Sequence, residues 1–145
     1  MTAANTFPEQ PGHQCVLIIS EDTDMAQVWK TLFEKHTIPA ICESSLQSGL
    51  STARILSPAL ILLNVDVPAV ERLALCRELR TTTDGALLMV ESNFKNPDIL
   101  EYHRAGVDET MSTSINPMAL VIKSLAWLAR YDWVAPYKSP MQMWT

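Results

Sequence analysis

The sequence has few of the residues that build metal and redox sites. Its three cysteines, Cys15, Cys42 and Cys76, are widely spaced and form no Cys-x-x-Cys pair. The three histidines are scattered singly, and none stands at zinc-ligand spacing from a cysteine. We therefore expect reduced thiols in a cytoplasmic protein, with no bound metal and no cofactor.

Basic clusters, long apolar runs and glycine-rich loops are also missing. The formal charge is −5 and no window concentrates lysine or arginine, whereas a nucleic-acid reader needs a basic face. No stretch reaches the roughly 20 apolar residues that span a bilayer, and the N terminus lacks a signal-peptide pattern. None of the four glycines lies in 20–24 or 64–68, where a bound flavin or nucleotide would need them. We expect a soluble protein that binds neither nucleic acid nor membrane.

The chain does contain enough apolar material for one core. Hydrophobic residues make up 48% of its 145 residues, a length that suits a single domain. We interpret 1–13, which are polar and lack periodicity, as a flexible leader. The domain is predicted over 14–131, and 132–145 form a tail rich in aromatic residues and methionine. The remaining residues leave no room for an output domain, so a stand-alone module is expected.

Short apolar runs alternate with helical patterns along the domain. Strands are predicted over 15–19, 38–42, 60–63, 86–90 and 109–112. The first helix is predicted to follow a cap at Asp22 or Thr23 and to turn Val28 inward. Further helices are predicted over 45–56, 70–80, 97–104 and 117–131. Parallel strands need helical crossovers, so the pattern predicts an α/β fold with a doubly wound, five-stranded parallel sheet of the flavodoxin-like type.

In such a sheet, functional residues collect at the carboxyl ends of the strands, beside the point where the strand order reverses. Nine residues occupy these ends, namely Ser20, Glu21, Asp22, Asn64, Asp66, Glu91, Ser92, Thr113 and Ser114. We expect Glu21 and Glu91 either to face water or to hydrogen-bond Thr113 and Ser114. No histidine or cysteine joins the set, which disfavours a metal site.

Two segments resemble the receiver domain of bacterial response regulators. Residues 58–68 read Pro-Ala-Leu-Ile-Leu-Leu-Asn-Val-Asp-Val-Pro, where the family has Pro-Asp-Leu-x-Leu-Leu-Asp-x-x-Met-Pro. The helical run 73–80, the apolar run 16–19 and Ala-Gly-Val-Asp at 105–108 also fit the family in order and spacing. The resemblance covers about residues 15–130 and implies the receiver fold.

The resemblance also implies that the phosphorylation site of the family is degenerate here. Receivers bind Mg²⁺ through two acids after the first strand, and they are phosphorylated on an Asp after the third. A Thr or Ser after the fourth strand and a Lys after the fifth bind the phosphoryl oxygens. The corresponding residues of this chain are Ser20, Glu21, Asn64, Glu91 and Thr113. Of these, only Glu21 keeps a suitable group.

These replacements remove the chemistry of phosphoryl transfer. An amide at Asn64 cannot act as the carboxylate nucleophile, and Mg²⁺ prefers carboxylate oxygens that Ser20 and Asn64 no longer supply. Without a lysine at Thr113, little would neutralise the phosphoryl oxygens. The aromatic switch residue on the fifth strand of receivers corresponds to Thr110. We therefore expect a fixed conformation, or control by partner binding.

The last helix and the tail are the predicted interaction surface. The helix over 117–131 is apolar almost all round, although packing on a sheet needs only one apolar stripe. Trp, Tyr and Met are residues that anchor interfaces. The interaction residues predicted on this basis are Leu120, Trp127, Tyr131, Trp133, Tyr137 and Trp144. The alternative is that the tail folds back over the last helix of its own domain.

The sequence thus predicts a pseudo-receiver that is not an enzyme and binds a regulatory or scaffold protein, a second copy of itself, or both. One alternative is a true response regulator that is phosphorylated on another acid such as Asp66. A second alternative is a sensor whose altered pocket, with Glu21, Asp22 and Glu91, binds a small ligand or cation.

Overall fold

Ten elements alternate along the computed structural model, which describes residues 15–92 and 96–130 and the side chains of all of these except 96–98. The strands are β1 (Val16–Ser20), β2 (Ala40–Glu43), β3 (Leu60–Asn64), β4 (Ala86–Glu91) and β5 (Glu109–Ser112). The helices are α1 (Thr23–Lys35), α2 (Leu46–Leu56), α3 (Ala69–Arg80), α4 (Asn96–Arg104) and α5 (Pro117–Arg130). The predicted leader, 1–13, and the predicted tail, 132–145, lie outside the described residues.

The strands form one five-stranded sheet in the order β2-β1-β3-β4-β5, with every neighbouring pair parallel. The chain first moves outward from β1 to β2 and then crosses back to β3, so the strand order reverses between β1 and β3. The predicted α/β class and doubly wound topology are confirmed. The carboxyl ends of β1 and β3 are neighbours at this reversal. Residues at the ends of these two strands therefore face the same space.

Side-chain caps fix where the helices begin. The Asp22 carboxylate accepts a hydrogen bond from the Met25 amide at 3.0 Å, so Asp22 is the cap of α1. The Ser45 hydroxyl accepts from the Ser48 amide at 3.1 Å, and α2 begins one residue later than predicted. The Asn116 side chain accepts from the Met118 amide at 2.8 Å, as its position before a proline predicts.

Helices cover both faces of the sheet and enclose two apolar layers. On one face, α1 and α5 bury Trp29, Phe33 and Leu120 against alternate strand residues. On the other face, α2, α3 and α4 contribute Ala53, Leu79 and Tyr102 among others. This second layer carries the residues that reach the carboxyl-end site.

The inward assignment of Val28 was wrong, because its side chain is 47% exposed on the outer side of α1. The stripe that α1 buries consists of Ala26, Trp29 and Phe33, with Met25 and Leu32 partly buried at its edges. Val28 lies one position outside that stripe at helical spacing. Within the described part of the chain, no helix is both long enough and apolar enough to cross a membrane.

Candidate functional site

An open cavity of about 720 Å³ lies at the carboxyl ends of β1, β3 and β4. Its lining includes all of the predicted phosphorylation-site positions except Ser20, which is buried in the wall at 1% exposure. Ser20 and Asn64 face each other as partners in the β1–β3 register. The structure therefore brings the five positions together, as the resemblance implies.

Asn64 is bonded as an amide in the place where a phosphoacceptor carboxylate would stand. Its Nδ2 donates to the Ser20 hydroxyl oxygen at 3.2 Å and lies 3.7 Å from the Met25 sulfur. The Ser20 oxygen also accepts from the Asp22 amide at 3.1 Å. The Ser20 hydroxyl donates its own proton to the Asp22 carbonyl at 3.1 Å, so its oxygen can only accept from residue 64. A carboxylate has no proton to give, and the network therefore suits a neutral amide at that position.

The two acids that follow Ser20 are committed to the backbone. The Glu21 carboxylate accepts a hydrogen bond from the Asp66 amide at 2.7 Å, which fastens the loop after β3 to the loop after β1. Asp22 caps α1. Glu21 therefore does not form the expected hydrogen bond with Thr113 or Ser114, and its carboxylate contacts the loop after β3 instead.

The Glu91 side chain bonds α3 and α4, whereas the expectation was that it would face water or bond Thr113 and Ser114. Its Oε1 lies 3.4 Å from Arg72 Nε of α3 and accepts a hydrogen bond from the Tyr102 hydroxyl of α4 at 3.1 Å. Arg72 Nε in turn donates to the Tyr102 oxygen at 2.8 Å. We call these three residues the triad. Glu91 lines the cavity, and its negative charge is paired with Arg72.

The triad was missed at the level of sequence. Arg72 and Glu91 stand 30 and 11 residues before Tyr102 along the chain, and the three residues belong to three different elements. The one available signal was an acid at the end of a buried strand, since a half-buried carboxylate needs a cationic or hydrogen-bonding partner. That signal predicts a partner but does not say which arginine supplies it.

Burial shifts the pKa of Tyr102, the tyrosine of the triad. It raises the pKa of the Tyr102 phenol, and the hydrogen bond from Arg72 offsets part of that rise. The phenol therefore keeps its proton and can donate to Glu91 throughout the neutral range.

The residues of β5 and its following turn close the other side of the cavity. The Thr113 amide donates to the Glu91 carbonyl at 3.1 Å, and its side chain lines the cavity. Thr110, at the switch position, is half-buried and pairs with Met89 in the β4–β5 register. Neither residue brings a positive charge, so the cavity wall from β5 is neutral.

A magnesium ion, which the receiver fold implies, does not fit the donor set. Glu21 and Asp22 already accept backbone hydrogen bonds, and Asn64 directs its nitrogen to Ser20. Over the described ranges, no group of three or more His, Cys, Asp or Glu side chains is arranged to hold a metal ion. No chemical step is therefore assigned to a metal here.

The outer face of α5 differs from the predicted interaction set. Leu120 is fully buried against the sheet, together with Val121, Ser124 and Leu128, so it belongs to the core. The large apolar side chains that α5 exposes are Met118 at 39% and Ile122 at 56%. Tyr131, Trp133, Tyr137 and Trp144 lie outside the described residues.

Trp127 is held in place at the edge of this face. Its indole N–H donates to Glu109 at 2.6 Å, and the Arg130 guanidinium lies 4.1 Å from the centre of its ring. Lys123 Nζ contacts the other Glu109 oxygen at 3.1 Å. Partial burial raises the pKa of Glu109, but the hydrogen bonds from Trp127 and Lys123 outweigh it and lower the pKa overall. The outer face of α5 is therefore preorganised rather than loose.

The chain is similar in sequence to response regulators. No family model matches the chain. The DNA-binding response regulator MtrA of Mycolicibacterium paratuberculosis is 23% identical over 119 residues, which cover 82% of this chain and 53% of that protein. The chain thus spans about half the length of the curated relatives it matches.

Solved receiver structures share the fold. A two-component response regulator from Clostridium difficile superposes with a TM-score of 0.75 at 22% identity, covering 82% of this chain and 98% of that one. A CheY-like receiver domain protein from Methanospirillum hungatei gives 0.75 at 19% identity, covering 82% and 96%. The predicted resemblance to the receiver domain of response regulators is confirmed. The expectation that nucleic acid plays no part finds no support, because the curated relative is named as DNA-binding.

Proposed function

We propose that this receiver-type domain signals through contact with another protein and does so without aspartyl phosphorylation or enzymatic activity. Signalling by a response-regulator receiver domain is the setting that the relatives support. The observation that carries the proposal is the bonding of Asn64, whose amide nitrogen donates to Ser20 at 3.2 Å where a receiver would hold its acceptor carboxylate.

The charges around the cavity argue in the same direction. Phosphoryl transfer depends on cations that neutralise three equatorial oxygens. Thr113 is neutral, and the guanidinium of Arg72 is already paired with Glu91 at 3.4 Å and with the Val67 carbonyl at 2.9 Å. Among the described residues that line the cavity, a phosphoryl group would therefore meet carboxylates and no unpaired cation.

The partner-binding part of the proposal rests on the outer face of α5. Trp and Arg are the residue types most enriched at binding hot spots, and here Trp127 and Arg130 are stacked in advance of binding. Ile122 adds an apolar side chain that is 56% exposed on the same helix. A face that is ordered before binding loses less entropy when a protein docks on it.

A thermal-shift experiment tests the loss of the phosphate site. We expect no rise in melting temperature with Mg²⁺ and beryllofluoride, a mimic of the bound phosphoryl group, because a ligand raises the melting temperature only by binding the native state. The matched control is S20D/N64D/E91T/T113K, which restores the four receiver side chains and is expected to show a rise.

The same experiment separates the alternatives. A rise for the wild type with beryllofluoride would contradict the proposal, and its loss in Asp66→Asn would identify Asp66 as the acceptor. A rise with a metal ion or nucleotide alone would instead favour the ligand sensor, whose support is the open acidic cavity.

A further inference from the structure

Three elements meet at the triad in a closed cycle of contacts. Arg72 Nε donates to the Tyr102 oxygen at 2.8 Å, the Tyr102 hydroxyl donates to Glu91 at 3.1 Å, and Glu91 lies 3.4 Å from Arg72 Nε. Each member therefore contacts both others. Because Arg72 belongs to α3, Glu91 to β4 and Tyr102 to α4, the cycle joins two helices to the carboxyl end of β4.

The triad is shielded from water. The side chains of Arg72 and Glu91 are 12% and 16% exposed, and Tyr102 is 2% exposed. Hydrogen bonds and ion pairs strengthen where the local dielectric is low, and removing one partner leaves the other charge buried and uncompensated. The arrangement is therefore costly to open.

The described side chains of α4 offer few other anchors. Among its described side chains, at 99–104, Tyr102 alone is fully buried, while Leu100 is 52% exposed. Ala105 and Val107 follow in the turn after the helix. An element with few buried contacts opens locally at low cost unless specific contacts hold it, so the hydroxyl of Tyr102 has a large share in holding α4.

From these observations we infer that the triad is a permanent latch that keeps α4 docked on α3 and β4 without any phosphate or ligand. Glu91 and Tyr102 supply a fixed connection between the carboxyl-end cavity and α4. The latch is independent of the proposed function, because it concerns the position of α4 whether or not another residue is phosphorylated.

Hydrogen–deuterium exchange of the full chain, followed by mass spectrometry of its peptides, tests the latch. In Tyr102→Phe, which keeps the buried ring, and in Glu91→Gln, we expect the amides of α4 to exchange about tenfold faster or more. The amides of α1, on the opposite face of the sheet, are expected to exchange as in the wild type. The control is Glu78→Gln, which removes the exposed α2–α3 pair of Arg54 and Glu78 and should leave α4 unchanged.

Two outcomes would overturn the latch. Unchanged exchange of α4 in Tyr102→Phe and Glu91→Gln would show that the triad does not hold the helix. Equal acceleration of α1 and α4 would show that the triad contributes to global stability only. Neither outcome depends on beryllofluoride binding, so the latch and the loss of phosphorylation can fail separately.

Discussion

At the scale of single residues, the amide of Asn64 is the feature on which the proposed loss of phosphorylation most depends. A carboxylate at residue 64 would present two acceptor oxygens to the Ser20 oxygen, whereas the amide of Asn64 presents a donor at 3.2 Å. The sequence predicts that both positions belong to a degenerate site, and the structure places them side by side. The sequence did not show that the replacements bond to each other, because pairing across β1 and β3 depends on the strand register.

Cys76 provides a residue-scale prediction on pH. Burial raises the pKa of its thiol from 9.0 to about 12, so the folded protein holds a proton that the unfolded chain releases. The stability that this thiol contributes is fully present below about pH 9 and is lost as pH rises toward 12.

The measurement is the free energy of unfolding by urea at several pH values between about 9 and 12. In Cys76→Ala we expect the decline with pH to be shallower by about 1.4 kcal/mol per pH unit. Leu79→Val, in the same apolar layer, is the control that loses packing but keeps the wild-type slope. An identical slope in the alanine variant would contradict the buried-thiol interpretation.

At the scale of elements, the apolar patterns predicted correctly which segments are helices. They were less reliable in predicting which side of a helix faces the solvent. The apolar circumference of α5 was identified correctly, but Leu120 was assigned to its outer side and is buried, while Ile122 is exposed. With apolar residues all round, periodicity does not distinguish the buried stripe from the rest. Only the packing of α5 beside α1 on the sheet decides it.

The outer face of α5 yields an element-scale prediction. If Ile122 and Trp127 lie in a self-association surface, Ile122→Glu places an uncompensated charge there and should reduce the molar mass in solution to that of the 16.2 kDa monomer. Light scattering measures this, with Val28→Glu on the exposed side of α1 as the matched control. Equal masses for the wild type and both variants would contradict self-association through α5.

At the scale of the whole molecule, the fold was predictable because every local signal agreed. Continuous apolar runs marked strands that the sheet buries on both faces, and Asn116 before Pro117 marked the start of α5. Consistency across levels of this kind specifies one topology. The triad was not predictable, because contacts between Arg72, Glu91 and Tyr102 arise only once three elements are packed.

The same view explains how a receiver fold can persist under the proposed loss of phosphorylation. The former acceptor position is neutral, its neighbouring acids hold loops and a helix cap, and Glu91 is bonded to α3 and α4. The side chains of Ser20, Asn64 and Glu91 thus each make a structural contact. We expect the domain to hold one arrangement under conditions in which receivers switch.

Intact-mass spectrometry after incubation with acetyl phosphate and Mg²⁺ is the most direct measurement of the central claim. The wild type is expected to keep its mass, because neither Asn64 nor the surrounding charges support phosphoryl transfer. S20D/N64D/E91T/T113K, treated in parallel, is expected to gain one acid-labile phosphoryl group. A gain of that mass by the wild type itself would contradict the account.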